Sequence, residues 1–149
     1  MTASSAPRPF HLSITVTDLE KTRMFYGDLL GCAPGRELPG YWIDFDWHGN
    51  QLSFHLDPNK QASYATGKVD GAGVPVPHFG AVLALDEWRA LQARLIEKNV
   101  TFFKEPHIRY EGEPGEQRTM FLQDPSGNMI EIKGFADMGM VFVPNTKAA

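Results

Sequence analysis

The sequence predicts an α+β fold of two similar modules, each a strand, a helix and then further strands. Three observations carry this. The stretch Asp124-Pro-Ser-Gly-Asn-Met-Ile-Glu-Ile-Lys133 is echoed by Asp46-Trp-His-Gly-Asn-Gln-Leu-Ser-Phe-His55, at an offset of 78 residues. Pro9-Phe-His-Leu-Ser-Ile-Thr-Val16 is answered by Pro77-His-Phe-Gly-Ala-Val-Leu-Ala84, with His11 and His78 67 residues apart. In each copy the first strand runs into helix-opening residues, and the final strand follows a tight turn. The unequal offsets give the second copy about 11 extra residues between its helix and its last hairpin.

The first module is expected over residues 10–56. Residues 11–16 alternate, with Leu12, Ile14 and Val16 on one face and His11, Ser13 and Thr15 on the other. Thr17-Asp-Leu-Glu20 fits a capping box, and the helix it opens runs to about Leu30. Leu19, Phe25, Tyr26, Leu29 and Leu30 follow the helical period as core residues, and Gly31 is a natural stop. Residues 41–47 read as a strand, with Asp44 expected to be solvated. Residues 51–56 read as the module's last strand, on which Ser53 and His55 share a face.

Residues 57–76 are rich in Gly, Pro and polar side chains and read as a linker, with Tyr64 and Lys68 as candidates to touch a ligand. The second module is expected over residues 77–135. Its first strand holds His78 and Gly80 on one face, and Gly80 leaves room beside His78 for close approach. Asp86 is the expected N-cap of a helix striped by Trp88, Leu91 and Leu95, and residues 100–103 the next strand. The extra segment, residues 104–117, belongs to one copy only and so suits a substrate pocket. Its His107, Arg109 and Tyr110 are candidates for a proton shuttle, an anion clamp and a phenolic hydrogen bond. In the last strand Ile130 and Ile132 face one way, and Met129, Glu131 and Lys133 the other. Residues 1–9 read as a disordered lead-in and 136–149 as a tail that docks on the domain or on a partner chain.

At 149 residues one domain is expected, able to bury roughly two-thirds of its unfolded surface. Apolar residues make up 42 % and charged residues 21 %, a globular balance. A net charge of −4 argues against a nucleic-acid partner, and no apolar run is long enough for a membrane helix. Residues 1–9 lack a signal-peptide core. Cys32 is the only cysteine, so no intrachain disulfide forms and a cytoplasmic location is expected.

Aligning the copies pairs His11 with His78 and Ser53 with Glu131. A pseudo-twofold relation between modules would gather these positions. His11, His78 and Glu131 then form a metal-ligand set, with Ser53 as a vacant fourth corner. Two imidazoles and one carboxylate suit a divalent transition metal with open coordination positions.

With those residues in place, the chain resembles the vicinal oxygen chelate superfamily, which holds glyoxalase I, bleomycin- and fosfomycin-resistance proteins, methylmalonyl-CoA epimerase and extradiol dioxygenases. The likeness spans residues 10–135. Val74-Pro-Val-Pro-His-Phe-Gly80, Glu105-Pro-His107, Gly112-Glu-Pro-Gly-Glu-Gln117 and Thr119-Met-Phe121 narrow it to single-domain bacterial predicted extradiol dioxygenases. The resemblance implies two tandem βαβββ modules, a cupped eight-stranded mixed sheet around a metal, and a homodimer. Glyoxalase-type sites place a fourth donor where this chain has Ser53, so a three-ligand site is implied. That leaves room for a catecholate and dioxygen on iron(II), with manganese, zinc or nickel as alternatives. The larger extradiol enzymes also carry a histidine acid/base and a tyrosine near the metal. Phe121 stands near the tyrosine's place, and His107, Tyr110 and His55 are the candidates to substitute.

Three functions follow as expectations. The first is an iron(II) oxygenase acting on a small aromatic or enediol substrate, with Arg109, Ser53 and Phe121 as substrate contacts. The second is a redox-neutral metalloenzyme catalysing isomerisation, lyase chemistry or thiol transfer. The third is a metal-free small-molecule binding protein of the drug-resistance kind.

Overall fold

The computed structural model describes residues 6–62, 65–69 and 72–144. The chain divides into two compact units, Met1–Gln61 and Ala62–Ala149.

In the first unit, β1 (His11–Val16) leads through Asp18 into a short α-helix, α1 (Leu19–Thr22), that widens into a π-helical stretch (Arg23–Leu29). Asp18, one position after the expected Thr17, caps α1 by accepting from the Lys21 N–H at 2.9 Å. The π register shows in Leu30 N–H donating to Phe25 O, five residues back, at 3.0 Å. Gly31, at φ +77°, ends the helix as expected. Three strands follow: β2 (Ala33–Leu38), β3 (Trp42–Trp47) and β4 (Asn50–Leu56). The sheet order is β1-β4-β3-β2, with β1 parallel to β4. β2 escapes the periodicity rules because it is exposed throughout, contains Pro34 and Gly35, and breaks register between Pro34 and Glu37. Phe45 and Phe54 on the sheet pack with Tyr26 from the helix, the Tyr26 and Phe54 rings lying 4.2 Å apart between centroids, and Leu52 is buried on the same sheet. Burying each such side chain contributes roughly 1.5–3 kcal/mol.

The second unit opens with a hairpin of β5 (Ala65–Val69) and β6 (Ala72–Val76), inside the stretch expected as linker. Tyr64 lies outside the described residues. A four-stranded sheet then forms from β7 (Phe79–Ala84), β8 (Lys104–Arg109), β9 (Gln117–Gln123) and β10 (Met129–Phe135), in the order β7-β10-β9-β8. The strand expected over 100–103 thus begins at Lys104 instead. Between β7 and β8 runs α2 (Leu85–Glu97), whose N-cap is Ala84 without a side-chain bond. Asp86 sits in the first turn, where its charge complements the helix dipole. Trp88 clamps α2 to the sheet: its indole N–H donates to Ile132 O at 2.9 Å. A Cβ at Gly134 would stand 2.6 Å from the Trp88 ring, so only glycine fits beneath it.

Both units are α+β with one four-stranded mixed sheet each, and the repeat holds at the level of register. In the first sheet Ser13 pairs with Ser53; in the second, Gly80 pairs with Glu131. His11 and His78 each lie two residues before those positions. Ser53 and Glu131 therefore occupy the same place in the two sheets.

Candidate functional site

The turn before β10 sets Glu131 in place. Asp124 Oδ1 accepts from the Ser126 and Asn128 N–H groups, each at 2.8 Å, and Gly127 takes φ +87°. From that anchored turn, alternation along β10 sends Ile130 and Ile132 to the helix side and Glu131 to the opposite face. Its side chain is only 4 % exposed, so it is not the solvated surface glutamate that base rates favour.

What buries Glu131 is a set of polar partners. His78 Nε2 lies 2.9 Å from Glu131 Oε2. Thr119 Oγ1, from β9, donates to Oε1 at 2.7 Å, and an Arg109 guanidinium nitrogen lies 3.7 Å from the same oxygen. His78 is held from behind, its Nδ1 2.6 Å from Pro75 O, and the edge of Phe121 meets it at 5.3 Å between centroids. Gly80 does leave room, but protein fills it. A Cβ there would collide with the Glu131 carbonyl, so β7 and β10 approach each other only because residue 80 is glycine.

The electrostatics follow from these contacts. Burial pushes the Glu131 carboxyl up, but the bonds from His78 and Thr119 and the charge of Lys133 outweigh it and leave it below the ordinary value. The hydrogen bond to Glu131 raises the His78 imidazole, against burial that lowers it.

This pair fits a metal. The Pro75 carbonyl can only accept, so Nδ1 carries a proton and Nε2 is the nitrogen left to meet the carboxylate. Two electron-rich atoms at 2.9 Å require a positive centre, which is either a second imidazole proton or a cation. A carbonyl fixing the far nitrogen is the usual support of a metal-binding histidine. Among the described residues no three His, Cys, Asp or Glu side chains form a group that could hold an ion.

The other expected residues are placed as follows. His11 is exposed at the start of β1. Ser53 is buried and donates to Asp44 Oδ1 at 2.6 Å. Asp44 is itself 6 % exposed and also accepts from Gln51 Nε2 at 3.1 Å, correcting its expected solvation. His55 is exposed beside Trp42. His107 is exposed on β8, its Nδ1 2.7 Å from the Glu105 carbonyl. Tyr110 follows β8 at φ +56°, with the Arg109 guanidinium 5.4 Å from its ring centre. Phe121 is 1 % exposed and abuts His78, so it props the imidazole.

Reasoning from sequence missed Thr119. Its signal was present: two residues from Phe121 on the strand beside Glu131, alternation places it on the carboxylate's face. The Pro75 carbonyl left no signal, because a backbone acceptor has no sequence signature.

Two units with the same mixed-sheet order and register define a duplicated α+β class of protein, and similarity to known proteins agrees with that fold. Residues 8–132 match the Glyoxalase/Bleomycin resistance protein/Dioxygenase superfamily. The chain belongs to that superfamily. No curated protein matches the sequence. Among solved structures, the glyoxalase/bleomycin resistance protein/dioxygenase from Alicyclobacillus acidocaldarius is 29 % identical, with a TM-score of 0.75 over 95 % of this chain and 100 % of that one. A glyoxalase/dioxygenase from Nostoc punctiforme is 19 % identical, with a TM-score of 0.66 over 92 % and 99 % of the two chains. A lactoylglutathione lyase from Agrobacterium tumefaciens is 20 % identical, with a TM-score of 0.60 over 89 % and 95 %. The last two likenesses speak to fold alone. Among the described residues no helix is long and apolar enough to cross a membrane.

Proposed function

We propose that this chain is a metal-dependent enzyme of its superfamily, an extradiol-dioxygenase-like iron(II) oxygenase acting on a small aromatic or enediol substrate. The observation that carries the reading is the His78–Glu131 pair, one donor atom from each at 2.9 Å, with the imidazole's other nitrogen fixed by Pro75 O. His11 is the proposed third ligand on the strength of the repeat, since it stands two residues before Ser13 as His78 stands before Gly80. A homodimer and a cytoplasmic location belong to the same proposal.

Bound iron(II) would supply the electron transfer that dioxygen chemistry requires. The chain's own residues do the rest. Thr119 holds one carboxylate oxygen of Glu131 and leaves the other toward His78. Phe121 keeps the imidazole from turning. Arg109, 11 % exposed and near Glu131, offers positive charge to an anionic substrate oxygen, and His107 or Tyr110 on the same segment moves the proton.

A redox-neutral reading, in which the metal polarises a substrate oxygen and a carboxylate shuttles a proton, is favoured by one observation. The first unit buries a carboxylate, Asp44, directly against the Ser53 corner.

The test is the metal content and spectrum of protein purified without oxygen, for wild type and Glu131→Ala. Stoichiometric iron that Glu131→Ala loses, with oxygen uptake on adding a catechol, supports the oxygenase. Zinc, nickel or manganese held by Glu131, with no oxygen uptake, supports the redox-neutral enzyme. Failure of both proteins to hold any metal after reconstitution would sink both and leave a metal-free binding protein.

A further inference from the structure

Alternation along β10 puts Lys133 on the face of Glu131, and register sets it between Thr119 on β9 and Val82 on β7. Lys133 is half-buried, and its ammonium makes no hydrogen bond or ion pair among the described residues. A partly desolvated charge without a partner is costly, so it is kept where something else answers it. The neighbouring carboxylate is not that answer. Glu131 meets Thr119 and Arg109 with Oε1 and His78 with Oε2.

The face around Lys133 is positive. Lys104 is paired with Phe121 and Arg109 with Gln117, which places both on the face that Thr119, Glu131 and Lys133 share. Among the register-paired residues of this sheet, Glu131 is the only carboxylate. In a chain of net charge −4, these cations concentrate positive potential on one surface. The Lys133 charge also reaches the His78–Glu131 pair. Behind burial and the bonds from His78 and Thr119, it is among the influences on Glu131 and lowers that carboxyl. Behind the bond to Glu131 and burial, it lowers the His78 imidazole.

We propose that Lys133 anchors a permanently anionic group, a carboxylate or a phosphate, on the small molecule that binds at this face. Arg109 is already engaged, 3.7 Å from Glu131 and 5.4 Å from the Tyr110 ring centre, so Lys133 is the cation left to receive an anion. A lysine ammonium is a compact point charge without the fork that selects by outline, so charge decides what it takes. Two residues along a strand span roughly 7 Å. The anionic group therefore stands a few bonds away from any ligand oxygen held beside Glu131. The inference rests on the proposed enzyme for what that oxygen does; capture of the anion needs no metal.

The test uses the full chain, chelator-treated and, separately, loaded with zinc as a redox-inert metal. Acetate, methyl phosphate and neutral acetamide are titrated by NMR at fixed ionic strength into wild type, Lys133→Met, Lys133→Arg and Lys98→Met. Lys98, exposed at the end of α2, removes the same charge from a different surface. Wild type should bind an anion saturably and acetamide not at all. Lys133→Met should weaken the anion roughly tenfold, the size of one charge-assisted hydrogen bond. Lys133→Arg, which keeps the charge, should retain binding, and Lys98→Met should match wild type. The Tm of Lys133→Met should hold or rise, because an unpartnered ammonium gives way to an apolar end. Tighter binding of acetate assigns a carboxylate and tighter binding of methyl phosphate a phosphate, and both support the anchor. No saturable anion binding in either metal state overturns it. So does anion binding in Lys133→Met equal to wild type, or equal weakening in Lys98→Met, which means only net charge matters. If Lys133→Met does not fold, Lys133→Gln is read in the same way. Wild type that binds the anion but no metal sinks the proposed enzyme and leaves the anchor. Lys133→Met that holds metal and anion as wild type does sinks the anchor and leaves the enzyme.

Discussion

The two units carry the same strand order and the same register, yet they place their buried carboxylates on different strands. In the first, Asp44 on β3 faces Ser53 on β4; in the second, Phe121 on β9 faces Glu131 on β10. The acid has changed sides across an equivalent strand pair. Asp44 spends its oxygens on Ser53 and Gln51, which are neutral partners within the sheet. Glu131 directs one oxygen at an imidazole instead, and the aromatic ring in Asp44's place supports that imidazole. One unit has closed its polar corner on neutral partners, while the other sets a carboxylate against an imidazole and a guanidinium. A duplicated fold can therefore share all its backbone rules and still divide the chemistry between its halves.

The largest expected effect breaks the comparison at the backbone. Gly80 and Ser13 are equivalent in register, but a Cβ at 80 would lie 1.5 Å from the Glu131 carbonyl oxygen, and that oxygen is main chain that cannot swing away. Gly80→Ala should cost about 3 kcal/mol or more, because β7 and β10 must separate. Ser13→Ala, at an exposed position, should fall within about 0.5 kcal/mol of wild type. Urea unfolding of the two variants checks both. A Gly80→Ala protein as stable as wild type would mean the strands do not approach this closely.

This glycine shows how far the sequence could be read. Its presence beside His78 was visible, as were both histidines, the anchored Asp124 turn and the alternation that isolates Glu131. Those are local signals: turn chemistry and a period of two. The occupant of the space beside Gly80 was not legible, because strand pairing between residues 51 positions apart has no local signature. Asp44 fails for a related reason. An aspartate on a half-buried strand reads as solvated until the cross-strand serine is in register to donate to it. β2 and the β5–β6 hairpin were missed because proline- and glycine-rich segments without apolar alternation pair only when a neighbouring strand is offered. Thr119 became meaningful once β9 was in register with β10.

The next effects sharpen the comparison at the side chains. Asp44→Ala leaves the Ser53 hydroxyl without its partner in a buried position and should cost about 1–3 kcal/mol in urea unfolding. Thr119→Val keeps the shape and removes the donor to Glu131, so its stability cost should be similar or smaller, about 1–2 kcal/mol. What separates them is the imidazole. Thr119→Val takes away one of the bonds that lower the Glu131 carboxyl, so the His78 titration followed by NMR should shift in metal-free protein, whereas Asp44→Ala should leave it where it was. Movement of His78 in Asp44→Ala, or its absence in Thr119→Val, would show that the two corners are not independent in this way.

The smallest effect is a dependence on pH that only the second unit's corner should produce. His78 is raised in the folded protein by its bond to Glu131, so that stabilisation is complete below the ordinary imidazole value of 6.5 and is lost as pH rises through the higher folded value. Glu131 is lowered, so its contribution is present above the ordinary 4.5 and is lost as pH falls through the lower folded value. Metal-free protein should therefore be most stable between about 4.5 and 6.5, with a decline on the alkaline side that starts as His78 gives up its proton. Metal uptake should run the other way and strengthen over the same alkaline step, because a ligand nitrogen must first be deprotonated. Glu131→Gln removes the charge that raises His78 and should flatten the alkaline decline in chelator-treated protein. Urea midpoints measured from pH 4.5 to 9 for both proteins decide it. If the two profiles run parallel, the pH dependence belongs to groups elsewhere, and the imidazole is not held by the carboxylate in solution.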